Sequence, residues 1–320
     1  MDETTLRFND WRGHMLSANN VSKVTIRDLH LTRSSPGATQ GFVRQVTAGT
    51  VVLEIPPGGL TQLVCFYIYY LPPGFPNPAQ IHNGHEDEST RAYLRKFTNI
   101  SSPQMVLNGN AQVRWMSTYQ VFENNDRLWA FKLRQPNIVV PAYQYGDLIG
   151  IKSKCCGEPR SISYFFRESR EVMFERVRWT RQSRGVFRLG TQDVTIKDCE
   201  IVRERPVGGM GWCLSTSDGG PQFGQPKDPY MHKVKVENFY AENTGDDSLA
   251  FFNAKASSLN VGCRYQLNIY LRFFQTEAVV EHSVIKDSFA RSILLYKSPD
   301  VQYSNVHLER APGIQCRYRI

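Results

Sequence analysis

An eight-residue pattern keeps returning along the chain, with apolar residues at its first, third, sixth and eighth positions. It reads Val24-x-Ile26-x-x-Leu29-x-Leu31, then Val172-x-Phe174-x-x-Val177-x-Trp179 and Val194-x-Ile196-x-x-Cys199-x-Ile201. Val234-x-Val236-x-x-Phe239-x-Ala241 and Val301-x-Tyr303-x-x-Val306-x-Leu308 follow, with a weaker copy, Ala278-x-Val280-x-x-Ser283-x-Ile285, between them. Alternation at the first and third positions, then at the sixth and eighth, predicts two short strands. Each turns one face inward, and a bend lies between them. No long window carries the 3.6-residue period of an amphipathic helix.

The copies start at Val172, Val194, Val234, Ala278 and Val301, so the intervals are 22, 40, 44 and 23 residues. Spacing near 22 residues, or twice that where a loop or extra coil intervenes, predicts an all-β fold, a right-handed parallel β-helix. A third short strand follows each copy from Val172 onward: "RGVFRL" from Arg184, "SDGGPQF" from Ser217, "GDDSLAFF" from Gly245, "RSILLY" from Arg291 and "PGIQCR" from Pro312. Stacked in one parallel sheet about 4.8 Å apart, these would set Asp218 one coil from Asp246 and Asp247.

Between Ile26 and Val172 the pattern stops. "GFVRQVTAGTVVLEIPPGG", "QVRWMSTYQVF", "RLWAFKL" and "NIVVPAYQYGDLIGIKS" read as strands separated by turn signals, as in a small antiparallel barrel. The expected division is a first coil or coils over 1–40, an inserted β-barrel over 41–165 and the main coils over 166–320. The stretch 76–105, rich in Pro, Asn and Gly, reads as a loop of that barrel. Solenoid ends need caps and none is visible at the start, so the expectation is a chain truncated there.

Composition narrows the function classes. Of 320 residues, 41% are apolar and 12% aromatic, enough for a real core, and the net charge is +8. Part of that charge is the arginine series Arg167, Arg170, Arg176, Arg178, Arg181, Arg184 and Arg188, interleaved with Glu168, Glu171 and Glu175. Interleaving predicts outward strand positions, and with no accompanying motif nucleic acid is not an expected partner. The first twenty residues carry no apolar core of a signal peptide; secretion would need a signal upstream. "LVCFYIYYLPPGF" is too short for a membrane span. Seven cysteines lack C-x-x-C spacing, and the histidines are scattered, with His82 and His85 in the polar tract "IHNGHEDE". No metal and no cofactor is expected.

One segment does not fit a plain solenoid. "ENTGDDSLAFF" runs two adjacent carboxylates, Asp246 and Asp247, into an apolar strand. Burial of either is costly unless it is paired. The order "NNVSKVTIRDLHL", "ATQGFVRQV", an inserted barrel, "YGDLIGIKSK", "REVMFERVRW", "QDVTIKDCEI", "LSTSDGG" and "VKVENFYAENTGDDSLAFFN" resembles the β-helix α-1,3-galactosidases, over residues 18 to 253. These glycosidases remove terminal galactose from blood-group-B-type glycans. "TGDDSLAF" is also similar to the polygalacturonases, which share the fold and an Asp, Asp-Asp set. Both resemblances imply an inverting hydrolase with Asp218, Asp246 and Asp247 as its catalytic set. By analogy with the polygalacturonases, Asp246 would be the general acid, with Asp218 and Asp247 activating water.

Inverting hydrolysis needs a proton donor and a water activator about 6.5–9.5 Å apart, which stacked strands can supply. Consecutive strand residues face opposite ways, so Asp246 and Asp247 can share a site only at a turn into the strand; Gly245 supplies the bend. Arg188, Arg264 and Arg291 are candidates to bind sugar hydroxyls or a carboxylate, and Trp212 and Tyr240 to stack on a sugar ring. The expected substrate is a glycan with terminal α-galactose. The alternatives are an acidic polysaccharide, or binding without catalysis. After Asp247 the chain reads "SLAFFNAKA" rather than the galactosidase continuation, which favours the last. Oligomeric state is not legible.

Overall fold

The computed structural model describes residues 4–9, 15–34, 38–47, 49–56, 91–98, 103–116, 128–133, 143–153, 164–182, 187–204, 211–216, 219–223, 233–252, 278–288, 291–296, 301–310 and 314–317. Every described element is a strand, and the chain divides into two compact units. The first comprises 1–35, 159–204 and 215–320; the second comprises 36–158 and 205–214.

The first unit is a large curled sheet of 16 strands in which every pair is parallel, consistent with a β-helix-like domain. Its N-terminal strands are β1 (Thr4–Phe8), β2 (Leu16–Asn19) and β3 (Ser22–Arg33). Each sequence repeat then pairs with the next in register. The first halves lie in β3, β10 (Tyr164–Trp179), β11 (Phe187–Lys197), β14 (Val234–Glu237), β17 (Ala278–Glu281) and β20 (Val301–Ser304). Val24, Val172, Val194, Val234, Ala278 and Val301 stand opposite one another in that order. The second halves continue in β3 and β10 and then form β12 (Glu200–Ile201), β15 (Tyr240–Glu242), β18 (Val284–Lys286) and β21 (His307–Glu309). Leu31, Trp179, Ile201, Ala241, Ile285 and Leu308 are aligned there. The third ladder runs from β11 through β13 (Gln222–Phe223), β16 (Leu249–Phe252), β19 (Ile293–Tyr296) and β22 (Ile314–Arg317).

The inward positions of all three ladders merge into one core. Phe174, Trp179, Ile196, Val236, Phe239, Phe251, Val280 and Ile285 are buried in it, and Phe223 stacks on Phe251 with centroids 5.0 Å apart. Alternation of apolar and polar residues thus produces a sheet buried on one face.

The bend inside each repeat has a definite conformation. Its fifth position, Asp28, Arg176, Asp198, Asn238, His282 or Asn305, adopts the left-handed backbone in every copy. Asp and Asn tolerate that region better than other non-glycine residues. Their side chains also join successive repeats: Asn238 Nδ2 donates to Asp198 Oδ1 at 2.7 Å, and Arg176 donates through Nε (2.6 Å) and Nη2 (3.1 Å) to the Asp28 carboxylate. A second left-handed corner, two residues after the repeat, includes Arg181, Asn243, Asp287 and Arg310. There Arg310 donates to both oxygens of Asp287, at 3.1 and 3.0 Å.

These ties make stability depend on pH. Hydrogen bonds from Arg176, Lys235 and Lys286 hold Asp28, Glu281 and Glu309, respectively, below their ordinary carboxylate values. A carboxylate depressed in the folded state stabilises fully above its unfolded value, and the contribution is lost as pH falls through the folded one. The urea midpoint is therefore expected to be lower near about pH 3 than at neutrality. Equal midpoints at the two pH values would contradict this. Burial pushes the Cys199 thiol up to about 12, so it stays protonated through this window.

The second unit is a closed antiparallel barrel. Its order is β4 (Ala38–Thr47), β5 (Thr50–Glu54), β8 (Leu128–Leu133), β7 (Met105–Met116), β6 (Arg91–Phe97) and β9 (Leu148–Ser153), which returns to β4. Val43, Val51, Leu53, Leu94, Phe131, Ile149 and Ile151 fill its interior. The segment 205–214, which lies between β12 and β13 in the chain, also belongs to this unit. The buried Gln40 amide donates to Gly211 O and accepts from Cys213 N, both at 2.7 Å.

Candidate functional site

The two adjacent carboxylates stand on the turn 243–248, which feeds β16 in the third ladder. Asn243 opens the turn with a left-handed backbone, and its N–H donates to Lys286 O at 3.1 Å. The turn is then fixed from below by buried hydroxyls. Gly245 N donates to Thr216 Oγ1 at 3.0 Å, and Thr244 Oγ1 donates to Asp246 O at 3.1 Å. Thr244 Oγ1 and Ser248 Oγ share a hydrogen bond of 2.8 Å, and Ser248 Oγ also meets Ser288 Oγ. On either side the backbone is laddered: Gly220 N donates to Asp247 O at 2.9 Å, and Ser248 N to Arg291 O at 3.1 Å.

Glycine at 219 and 220 permits the approach on one side. A Cβ on Gly220 would stand 2.1 Å from Ser248 O, and one on Gly219 would stand 2.7 Å from Asp247 O. The Gly219-Gly220 pair is thus a steric requirement of the segment lying against the Asp247–Ser248 backbone.

The two aspartates occupy unlike environments. Asp246 is half-buried, whereas Asp247 is 5% exposed. Both oxygens of Asp247 accept from the Arg291 guanidinium: Oδ1 from Nε, and Oδ2 from Nη2 at 2.9 Å. Asp247 and Arg291 are neighbours across the turn entering β16 and the turn entering β19. Two-pronged charge-assisted contacts of this kind are the strong ones, and breaking one by removing a single partner strands a buried charge.

The structure describes only part of the remaining candidates. Arg188 lies on β11 with its backbone opposite Phe165 and Gln222. Asp218, Arg264, the Arg188 side chain and the tract with His82 and His85 lie outside the described residues. Trp212 is half-buried in the second unit, beside Gly211 and Cys213. Tyr240 donates its hydroxyl to Glu242 Oε2 at 3.0 Å, and burial, with the Glu242 charge, raises the phenol above its ordinary value. Glu242 also accepts from Arg203 N at 3.2 Å, so Tyr240 belongs to a polar cluster on β15. His30 meets Thr180 Oγ1 at 2.9 Å and His282 meets Asn305 at 3.1 Å. Among the described residues no three His, Cys, Asp or Glu side chains gather as a metal site, and no helix is long and apolar enough to cross a membrane.

The partnership of Arg291 with Asp247 was not read from the sequence. The signal was available: extending the pairing of β16 with β19 backward by two residues sets Arg291 opposite Asp247. No protein-family model matches the chain, and no curated protein is significantly similar to it.

Proposed function

We propose that this protein is an inverting glycoside hydrolase acting on terminal α-galactosides, built on a right-handed parallel β-helix that carries an inserted β-barrel. The observation that carries the reading is the pair of adjacent carboxylates in unlike environments, one half-buried and one clasped by a guanidinium. Two carboxyls with different surroundings are how one site obtains both an acid and a base. In this reading Asp246 protonates the glycosidic oxygen as the C1–O bond breaks. Water adds to C1 from the opposite face and gives its proton to Asp247 or Asp218. No cofactor takes part.

A second reading, a carbohydrate-binding protein without catalysis, has its own support. Asp28 with Arg176 and Asp287 with Arg310 are two-pronged pairs between successive repeats, at corners with no other sign of chemistry. Asp247 with Arg291 would then be a third tie of the same kind. Hydrolysis of aryl α- and β-galactosides, B-type oligosaccharides and polygalacturonate separates the readings. Release of galactose from the α-linked substrates supports the hydrolase; glycan binding without release supports the second account.

A further inference from the structure

We propose that Arg291 is a positioning residue for hydrolysis, acting through Asp247 rather than through the sugar. The inference rests on the hydrolase reading and adds a role to it.

The corner pairs supply the contrast. Asp28, Arg176, Asp287 and Arg310 all sit in left-handed corners, whereas neither Asp247 nor Arg291 has a positive φ. Asp247 and Arg291 stand instead where two neighbouring turns enter the third ladder, one residue from Asp246. Asp247 is as deep as Asp287, with side-chain exposures of 7% and 4%, and Arg291 at 18% is deeper than Arg310 at 31% or Arg176 at 38%.

The geometry defines what Arg291 does. Its planar fork fixes the plane of the Asp247 carboxylate and sets a positive charge against it. Held this way, Asp247 is suited to accept a proton from water and unsuited to donate one. The proton for the leaving oxygen then comes from Asp246. Lysine cannot reproduce the arrangement, because an ammonium is a point charge without the fork.

The test is steady-state hydrolysis of a fluorogenic aryl α-galactoside by the full chain and by Arg291→Gln, Arg291→Lys, Asp247→Asn and the Arg291→Gln/Asp247→Asn pair. Arg291→Gln is expected to lower kcat about a hundredfold with KM within about twofold, and Arg291→Lys to recover about a tenth of the native rate. In the Asp247→Asn chain, adding Arg291→Gln is expected to cost nothing further. A raised KM with kcat preserved would make Arg291 a sugar-binding residue and overturn the inference, as would additive losses or full activity of Arg291→Gln. If circular dichroism shows that Arg291→Gln does not fold, Arg291→Lys carries the same split of KM against kcat. An inactive native chain would remove the hydrolase reading together with this role. An active native chain indifferent to Arg291 would remove this role alone.

Discussion

Replacing Asp246 by Asn is expected to lower turnover of a terminal α-galactoside by about a hundredfold or more, while thermal unfolding stays within about a degree or two of the native chain. Asn keeps the shape of the side chain and removes its acidity. A hundredfold loss corresponds to about 2.7 kcal/mol of transition-state stabilisation, the scale of a positioned proton donor. The loss should shrink when the leaving group is a dinitrophenol, whose oxygen departs without protonation. Asp247 predicts a different outcome. Its carboxylate is 5% exposed and clasped by Arg291, so Asp247→Asn removes a buried charge partner as well as a base. If Asp246→Asn retains native turnover on both kinds of leaving group, Asp246 is not the donor.

Gly220→Ala is expected to be the most damaging of the small substitutions near the site. Its Cβ would lie 2.1 Å from Ser248 O, 3.1 Å from Ser248 C and 3.1 Å from Ile201 Cδ1. The first two are backbone atoms of the turn entering β16, which is tied through Ser248 N to Arg291 O and through Leu249 N to Ser292 O. A flexible side chain could yield, but this backbone cannot without breaking those hydrogen bonds. Overpacking at such a place costs about 3 kcal/mol, at the upper end of the usual range. The unfolding midpoint should fall by several degrees, and the Asp246–Asp247 turn should shift with it. A Gly220→Ala chain that melts with the native one would show that the strands are not packed this closely.

Much of the fold could be read from residues 172–201 and their copies, because period-two alternation is imposed by the pleat itself. The register of Val24, Val172, Val194, Val234, Ala278 and Val301 follows the repeat residue for residue. The corners were less legible. Asp28, Asp198, Asn238 and Asn305 read as ordinary polar positions, yet their left-handed backbone forms the bend, and the same position accepts Arg176 and His282 once the neighbouring strands fix it. The assignment of 205–214 to the barrel unit was also hidden. The Gln40 amide meets Gly211 and Cys213 within that unit, a contact across about 170 residues that no local pattern announces.

At the site, the sequence placed two carboxylates side by side but not their unequal burial. Unequal burial arises where the turn hands over to the strand, and it depends on Arg291, 44 residues onward. Arg291 read as a candidate to bind sugar hydroxyls or a carboxylate, because an arginine at a strand start is ambiguous by itself. Its neighbour in the adjacent repeat decides what it touches.

The most direct measurement is proton NMR of the first galactose released from a B-type trisaccharide by the native chain, followed before mutarotation. The account predicts release of galactose as the β-anomer, the mark of single displacement by water on the face opposite the leaving group. No release, or galactose appearing first as the α-anomer, would contradict it.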